Sequence, residues 1–137
     1  MNIEFNHQLF KKHEYDILLD DEAVGVIMFD INNNVLYINH LEVYEEFRNK
    51  KIAENVLKRL FEKYDEIQYI IGEVLDTDVS KYFWRKILKI FDSKLLNTSC
   101  YSNCSSSFVL SNKEIKDFDE TYWIKQLIDF FNLFFNE

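Results

Sequence analysis

The sequence predicts an α/β domain built on a mixed, mainly antiparallel sheet, with a β-α-β crossover, helices on both faces and an amphipathic helix at the C-terminal end. Three patterns carry this expectation. Strand-like runs fill residues 15–43 and 68–75, helical spacing of apolar residues replaces them between 52 and 61, and residues 119–136 repeat that helical spacing.

Proline is absent and only Gly25 and Gly72 are present, so Asn, Asp and Ser must make the turns. They do so because their short side chains tolerate left-handed backbone and bond their own main chain. Asp30-Ile31-Asn32-Asn33-Asn34 separates the β-type runs Ala23–Phe29 and Val35–Val43, which read as a hairpin. Tyr15–Leu19 adds a third antiparallel strand across Asp20-Asp21-Glu22, and Met1–Phe5 a short edge strand.

Ile52, Val56, Leu57, Leu60 and Phe61 then define one face of a helix from about Lys50 to Tyr64. Gln68–Leu75 is a continuous apolar run, as expected of a strand buried on both faces. Asp76-Thr77-Asp78 supplies a cap for a helix from Val79 to about Leu88. Strand, helix and strand across 35–75 form the crossover, right-handed by rule. Ile90–Leu96 and Ser107–Leu110 read as strands around the polar loop Asn97–Ser106. The last helix, Asp119 to Asn136, has a polar stripe of Lys125, Gln126, Asp129, Asn132 and Asn136, and is apolar elsewhere.

At 137 residues the chain is expected to be one domain, residues 1–137, with a core over about 15–110 and a helical extension over about 113–137. Aromatic content of 17% excludes a disordered chain. No apolar run reaches the ~18 residues of a membrane span, no signal-peptide pattern opens the sequence, and a cytoplasmic location is expected. Cys100 and Cys104 are too few for a disulfide framework and have no histidine nearby to complete a zinc site, so no metal is expected.

Charge is uneven. Residues 1–46 carry two Lys against ten Asp and Glu, a net of −8, whereas 47–94 carry eleven Lys and Arg against eight acids, a net of +3. The acidic whole argues against nucleic acid as a partner, since phosphate neutralisation supplies most of that affinity. The basic middle suits one small phosphorylated ligand. Its centre is Arg48-Asn49-Lys50-Lys51-Ile52-Ala53, at the start of the helix, where unpaired N–H groups also favour an anion. A solvated charge cluster is the alternative reading.

These residues resemble the GNAT superfamily of N-acetyltransferases. The family's pyrophosphate loop has Arg or Gln, two variable residues, Gly, one variable residue, then Gly or Ala, after a strand ending Leu-x-Val. Leu41-Glu42-Val43 and Arg48 through Ala53 follow that order, with Lys51 at the glycine. A lysine there is expected to keep helical backbone and still present its N–H. The family's next helix carries Phe-Tyr-x-Lys before a Gly-Phe pair; here Phe83, Trp84 and Lys86 stand in those places and Gly-Phe does not occur.

The resemblance implies acetyl-coenzyme A as co-substrate, entering a gap between strands 35–43 and 69–75, and an amine as acceptor. It implies pantetheine contacts near Leu41 and Val43 and pyrophosphate contacts from Arg48, Asn49, Lys50, Lys51, Ile52 and Ala53. Trp84 takes the place of the tyrosine that protonates the departing thiolate in many members. Tyr37 occupies the place of the glutamate base of some members; Glu42 and His40 are side chains of suitable acidity that the family match does not put at the site, His40 reading as a partly buried, satisfied histidine. Strict alternation sets Tyr37, Asn39, Leu41 and Val43 on one face and Ile38, His40 and Glu42 on the other.

The reading is an acetyl-coenzyme A-dependent N-acetyltransferase. The alternative is an inactive GNAT-fold binding protein acting through its C-terminal helix. So many phenylalanines on that helix also suggest a homodimer, with Phe130 and Phe134 on one edge and Phe131 and Phe135 on the other.

Overall fold

The computed structural model describes residues 1–9, 11–101 and 104–135, the last three by backbone alone. Its elements are β1 (Ile3–His7), β2 (Glu14–Leu19), β3 (Glu22–Asn32), β4 (Val35–Val43), α1 (Ile52–Lys63), β5 (Tyr69–Val74), α2 (Asp78–Leu88), β6 (Asp92–Asn97), β7 (Ser106–Ser111) and α3 (Glu120–Phe135). They fall into two compact units, residues 1–67 and 68–137.

The first unit is an antiparallel meander, β1 to β4 in sequence order, with α1. Asp20 (φ 50°) and Asp21 (φ 69°) make the two-residue turn into β3, and Asn33 (φ 56°) turns β3 into β4. Two consecutive positive φ values match the twist of a hairpin, and Asp and Asn reach them at less cost than other side chains. The β3–β4 hairpin is therefore longer than its apolar pattern, with Asp30–Asn32 inside the strand rather than the turn.

Residues opposite each other on antiparallel strands share a face. One face carries Phe5, Tyr15 and Phe29, which cluster against Tyr64 just beyond α1. Tyr15 stacks on Phe29 at 4.6 Å between ring centres, and Phe29 meets Tyr64 at 5.8 Å. Ile52, Val56, Leu57, Leu60 and Phe61 of α1 are buried. Arg59 ties α1 to the first strand: its Nε donates to the Ile3 carbonyl at 3.0 Å and its Nη2 to Glu4 at 3.0 Å. That guanidinium holds the Glu4 carboxyl below its ordinary range.

The β3–β4 register contains a β-bulge. Phe29 faces Ile38 and Met28 faces His40, leaving Asn39 as the extra residue. The bulge overturns the alternation expected along this strand. Asp30 faces Tyr37, Met28 faces His40 and Val26 faces Glu42, so Tyr37, His40 and Glu42 share one face. Ile38, Leu41 and Val43 share the other, the face of Phe29 and Tyr15.

In the second unit β7 lies between β5 and β6, antiparallel to each. Phe108, Val109 and Leu110 of β7 and Ile70 and Ile71 of β5 are fully buried. Trp84 of α2 stacks on Phe108 at 4.2 Å, and Trp123 of α3 meets Tyr69 edge-on at 4.7 Å. The Thr77 hydroxyl accepts from Ser80 N–H at 3.1 Å and so caps α2. Asp76 accepts from the Ser105 N–H and hydroxyl, bonds that hold its carboxyl below the ordinary range.

Trp123, Leu127 and Phe130 form the buried face of α3, and Phe131 is half-buried. The side chains of Phe134 and Phe135, and the polar-stripe residue Asn136, lie outside the described residues. Among the described residues no helix is long and apolar enough to cross a membrane.

Candidate functional site

The site is built where β4 runs into α1. Gly25 opposes Val43, and a Cβ at Gly25 would run into the Glu42 carbonyl, so glycine is what lets β3 approach the end of β4. The Tyr44 N–H continues the ladder to the Val24 carbonyl at 2.9 Å. A single 3₁₀ turn, Glu45–Phe47, reverses the chain, closed by Phe47 N–H to Tyr44 at 2.8 Å and Arg48 N–H to Glu45 at 3.2 Å. Arg48 then reaches back, its Nε donating to the Val43 carbonyl at 2.8 Å. The side chain expected only to meet phosphate is therefore also a strut across this turn.

Two residues of the loop are left-handed, Asn49 at φ 64° and Lys51 at φ 61°, ψ 23°. This corrects the expectation for Lys51, which stands at the N-cap of α1 in the backbone conformation that glycine favours and not in a helical one. Its carbonyl accepts from the Asn55 N–H at 3.2 Å and the Asn55 side chain at 2.7 Å. The Lys51 side chain makes no capping hydrogen bond to the α1 N-terminus.

Ile52 and Ala53 are buried and anchor the turn from below. The result is a loop that combines left-handed residues with a helix start, the backbone pattern from which anion-binding nests are built. Among the described residues no carboxylate pairs with Arg48, Lys50 or Lys51. Lys50 lies 5.9 Å from the Phe47 ring centre. Backbone donors, three cations and no opposing acid are the chemistry a diphosphate requires, and the donor set fits that group.

The sequence profile described as the Acetyltransferase (GNAT) family matches residues 2–87, a span containing this whole site. The chain belongs to the GNAT acetyltransferase family. Solved structures agree in fold. A GNAT-family protein from Bacteroides thetaiotaomicron superposes with a TM-score of 0.61 at 14% identity, covering 87% of this chain and 73% of that one. Diaminobutyrate acetyltransferase EctA from Paenibacillus lautus, solved with L-2,4-diaminobutyric acid and coenzyme A, gives 0.52 at 15% identity over 75% and 73% of the two chains. A GNAT acetyltransferase from Elizabethkingia anophelis, solved with acetyl-CoA, gives 0.50 at 15% identity over 74% and 75%. No curated protein sequence matches the chain.

In this GNAT chain the expected site residues separate into three groups. Arg48 through Ala53 come together in the loop. Leu41 and Val43 lie just upstream on one face of β4, half-buried. Glu42 lies on the opposite face beside His40, with 3.4 Å between Nε2 and Oε1. Tyr37 shares the face of Glu42 but is only 1% exposed. Trp84 belongs to the second unit and is packed on Phe108. Sequence reasoning missed Gly25 as a contact point, though a lone glycine within a strand pattern signals close backbone approach.

A left-handed lysine costs about 1–2 kcal/mol relative to glycine in the same conformation. Part of that returns as the greater freedom of glycine in the unfolded chain. Lys51→Gly is therefore expected to stabilise the protein by about 0.5–1 kcal/mol in urea unfolding. Destabilisation of similar size would mean that the lysine side chain makes up for its backbone.

Proposed function

We propose that this GNAT-family protein transfers an acetyl group from acetyl-coenzyme A to an amine. The observation that carries the reading is Lys51: at the motif's glycine place the lysine adopts the left-handed backbone that glycine favours, at a helix start with no side-chain cap from Lys51 and, among the described residues, no carboxylate paired with its cations. Such backbone strain persists where the surrounding structure over-determines it, commonly at ligand sites.

The residues divide the work as follows. N–H groups from Asn49 to Ala53, with Arg48, Lys50 and Lys51, hold the diphosphate. Backbone at Leu41 and Val43 takes the pantetheine arm. When bound, acetyl-coenzyme A supplies an activated thioester. The protein's own contribution is to orient the acceptor nitrogen and carry off its proton. Glu42, half-exposed on β4, is open to that proton, whereas Tyr37 is enclosed.

Calorimetry with acetyl-coenzyme A, followed by a panel of small amines and amino-terminal peptides, tests the reading. Binding and acetylation of one class are expected. Absence of heat at millimolar co-substrate would overturn it. Binding without turnover on any amine would favour an inactive binding protein, a reading supported by Trp84: the place of the family's acid is filled by an indole buried on Phe108.

A further inference from the structure

We infer that His40 is the group that accepts the proton of the acceptor amine, with Glu42 as its positioning residue. The inference rests on the acetyltransferase reading and deepens it. Its origin is the bulge at Asn39, which brings Tyr37 onto the face of His40 and Glu42, opposite Leu41 and Val43.

Three features single out His40. First, its Nε2 lies 3.4 Å from Glu42 Oε1. With Nε2–H donating to the carboxylate, the imidazole lone pair is fixed on Nδ1, the atom left to take a proton. Second, the pair is reachable: the side chains are 52% and 44% exposed, whereas Tyr37 is enclosed. Third, histidine is the strand's one side chain that can take a proton on one nitrogen while the other keeps its hydrogen bond. His40 also lies three residues before Val43, the carbonyl that receives Arg48, so it is on the strand that leads into the anion loop.

The rest of this face does not oppose the role. On the neighbouring strands it carries Val26, Met28 and Asp30 of β3 and Glu14 and Asp16 of β2; Lys11 pairs with Glu14 at 3.5 Å and His13 lies 3.9 Å from Asp30. Val26 and Met28 offer an apolar strip beside the imidazole.

The step balances as follows. An N–H bond of the acceptor ammonium breaks and its proton passes to His40 Nδ1. The freed nitrogen lone pair forms the C–N bond to the acetyl carbon. The C–S bond breaks with its electron pair going to sulfur, and the remaining excess proton on nitrogen leaves through water to the thiolate. His40 returns its proton to solvent.

The test pairs a ring measurement with kinetics. Nitrogen-detected NMR of the histidine ring should show the Nε2–H tautomer in the wild type, lost in Glu42→Gln. His40→Gln should reduce turnover about 100-fold while the dissociation constant for acetyl-coenzyme A stays within about twofold. The low-pH limb of the rate profile should vanish with it. Glu42→Gln should give a smaller loss, about tenfold, and shift that limb. A wild-type ring in the Nδ1–H tautomer, or His40→Gln with more than half the wild-type turnover, would overturn the inference and leave the transferase reading standing. A wild type that binds no acetyl-coenzyme A would overturn both.

Discussion

Trp84→Ala should lower stability by about 3–5 kcal/mol, the cost of deleting a buried aromatic and leaving its cavity. The indole is 7% exposed, stacks on Phe108, which is itself completely buried, and meets Phe83 edge-on at 5.0 Å. Such ring pairs add about 0.5–1.5 kcal/mol beyond burial, so the loss should fall in the upper part of the range. Trp84→Tyr keeps a ring against Phe108 and should cost less. Urea unfolding of the two variants measures this directly. A loss below about 1 kcal/mol for the alanine variant, accompanied by loss of acetyl-coenzyme A binding, would move Trp84 from the core to the ligand.

Replacing Arg48 and Lys51 together by Ala should weaken acetyl-coenzyme A binding by about 1–3 kcal/mol through lost charge-assisted contacts. The difference should be larger at low salt, because these cations are near solvent. The two sites act differently. Arg48 carries charge and also holds the Val43 carbonyl, so Arg48→Lys should restore only part of the affinity. Full rescue by lysine would show that charge alone matters and that the strut is dispensable. Titration at two salt concentrations separates these outcomes.

Much of this was legible in the sequence, for identifiable reasons. The helical repeat of Ile52, Val56, Leu57, Leu60 and Phe61 located α1 because an amphipathic face is a strong, local signal. The loop between β4 and α1 stood out through Arg48 and the ends of its motif, since cations before a helix oppose its dipole unless an anion answers them. Lys51 was misjudged because propensity assigns lysine to helical backbone, whereas the turn from β4 into α1 forces φ to 61°. The faces of β4 were misjudged because a bulge depends on pairing with β3, and nothing within Val35–Val43 records that Asn39 has no opposite residue. Trp84 was placed by its motif position at the co-substrate, while its burial comes from Phe108, twenty-four residues away in sequence, which periodicity does not reach.

The bulge makes β4 a strand in which counting matters more than chemistry. Val35 to Ile38 are all buried, while Asn39 and His40 beyond them are exposed. A side-chain exchange downstream of Asn39 alters one group and leaves its neighbours aimed as before. Removing a single residue there restores plain alternation, and with period two it would exchange the faces of one half of the strand relative to the other. Apart from His40 and Glu42, this segment should therefore tolerate side-chain exchange during divergence yet resist gaps.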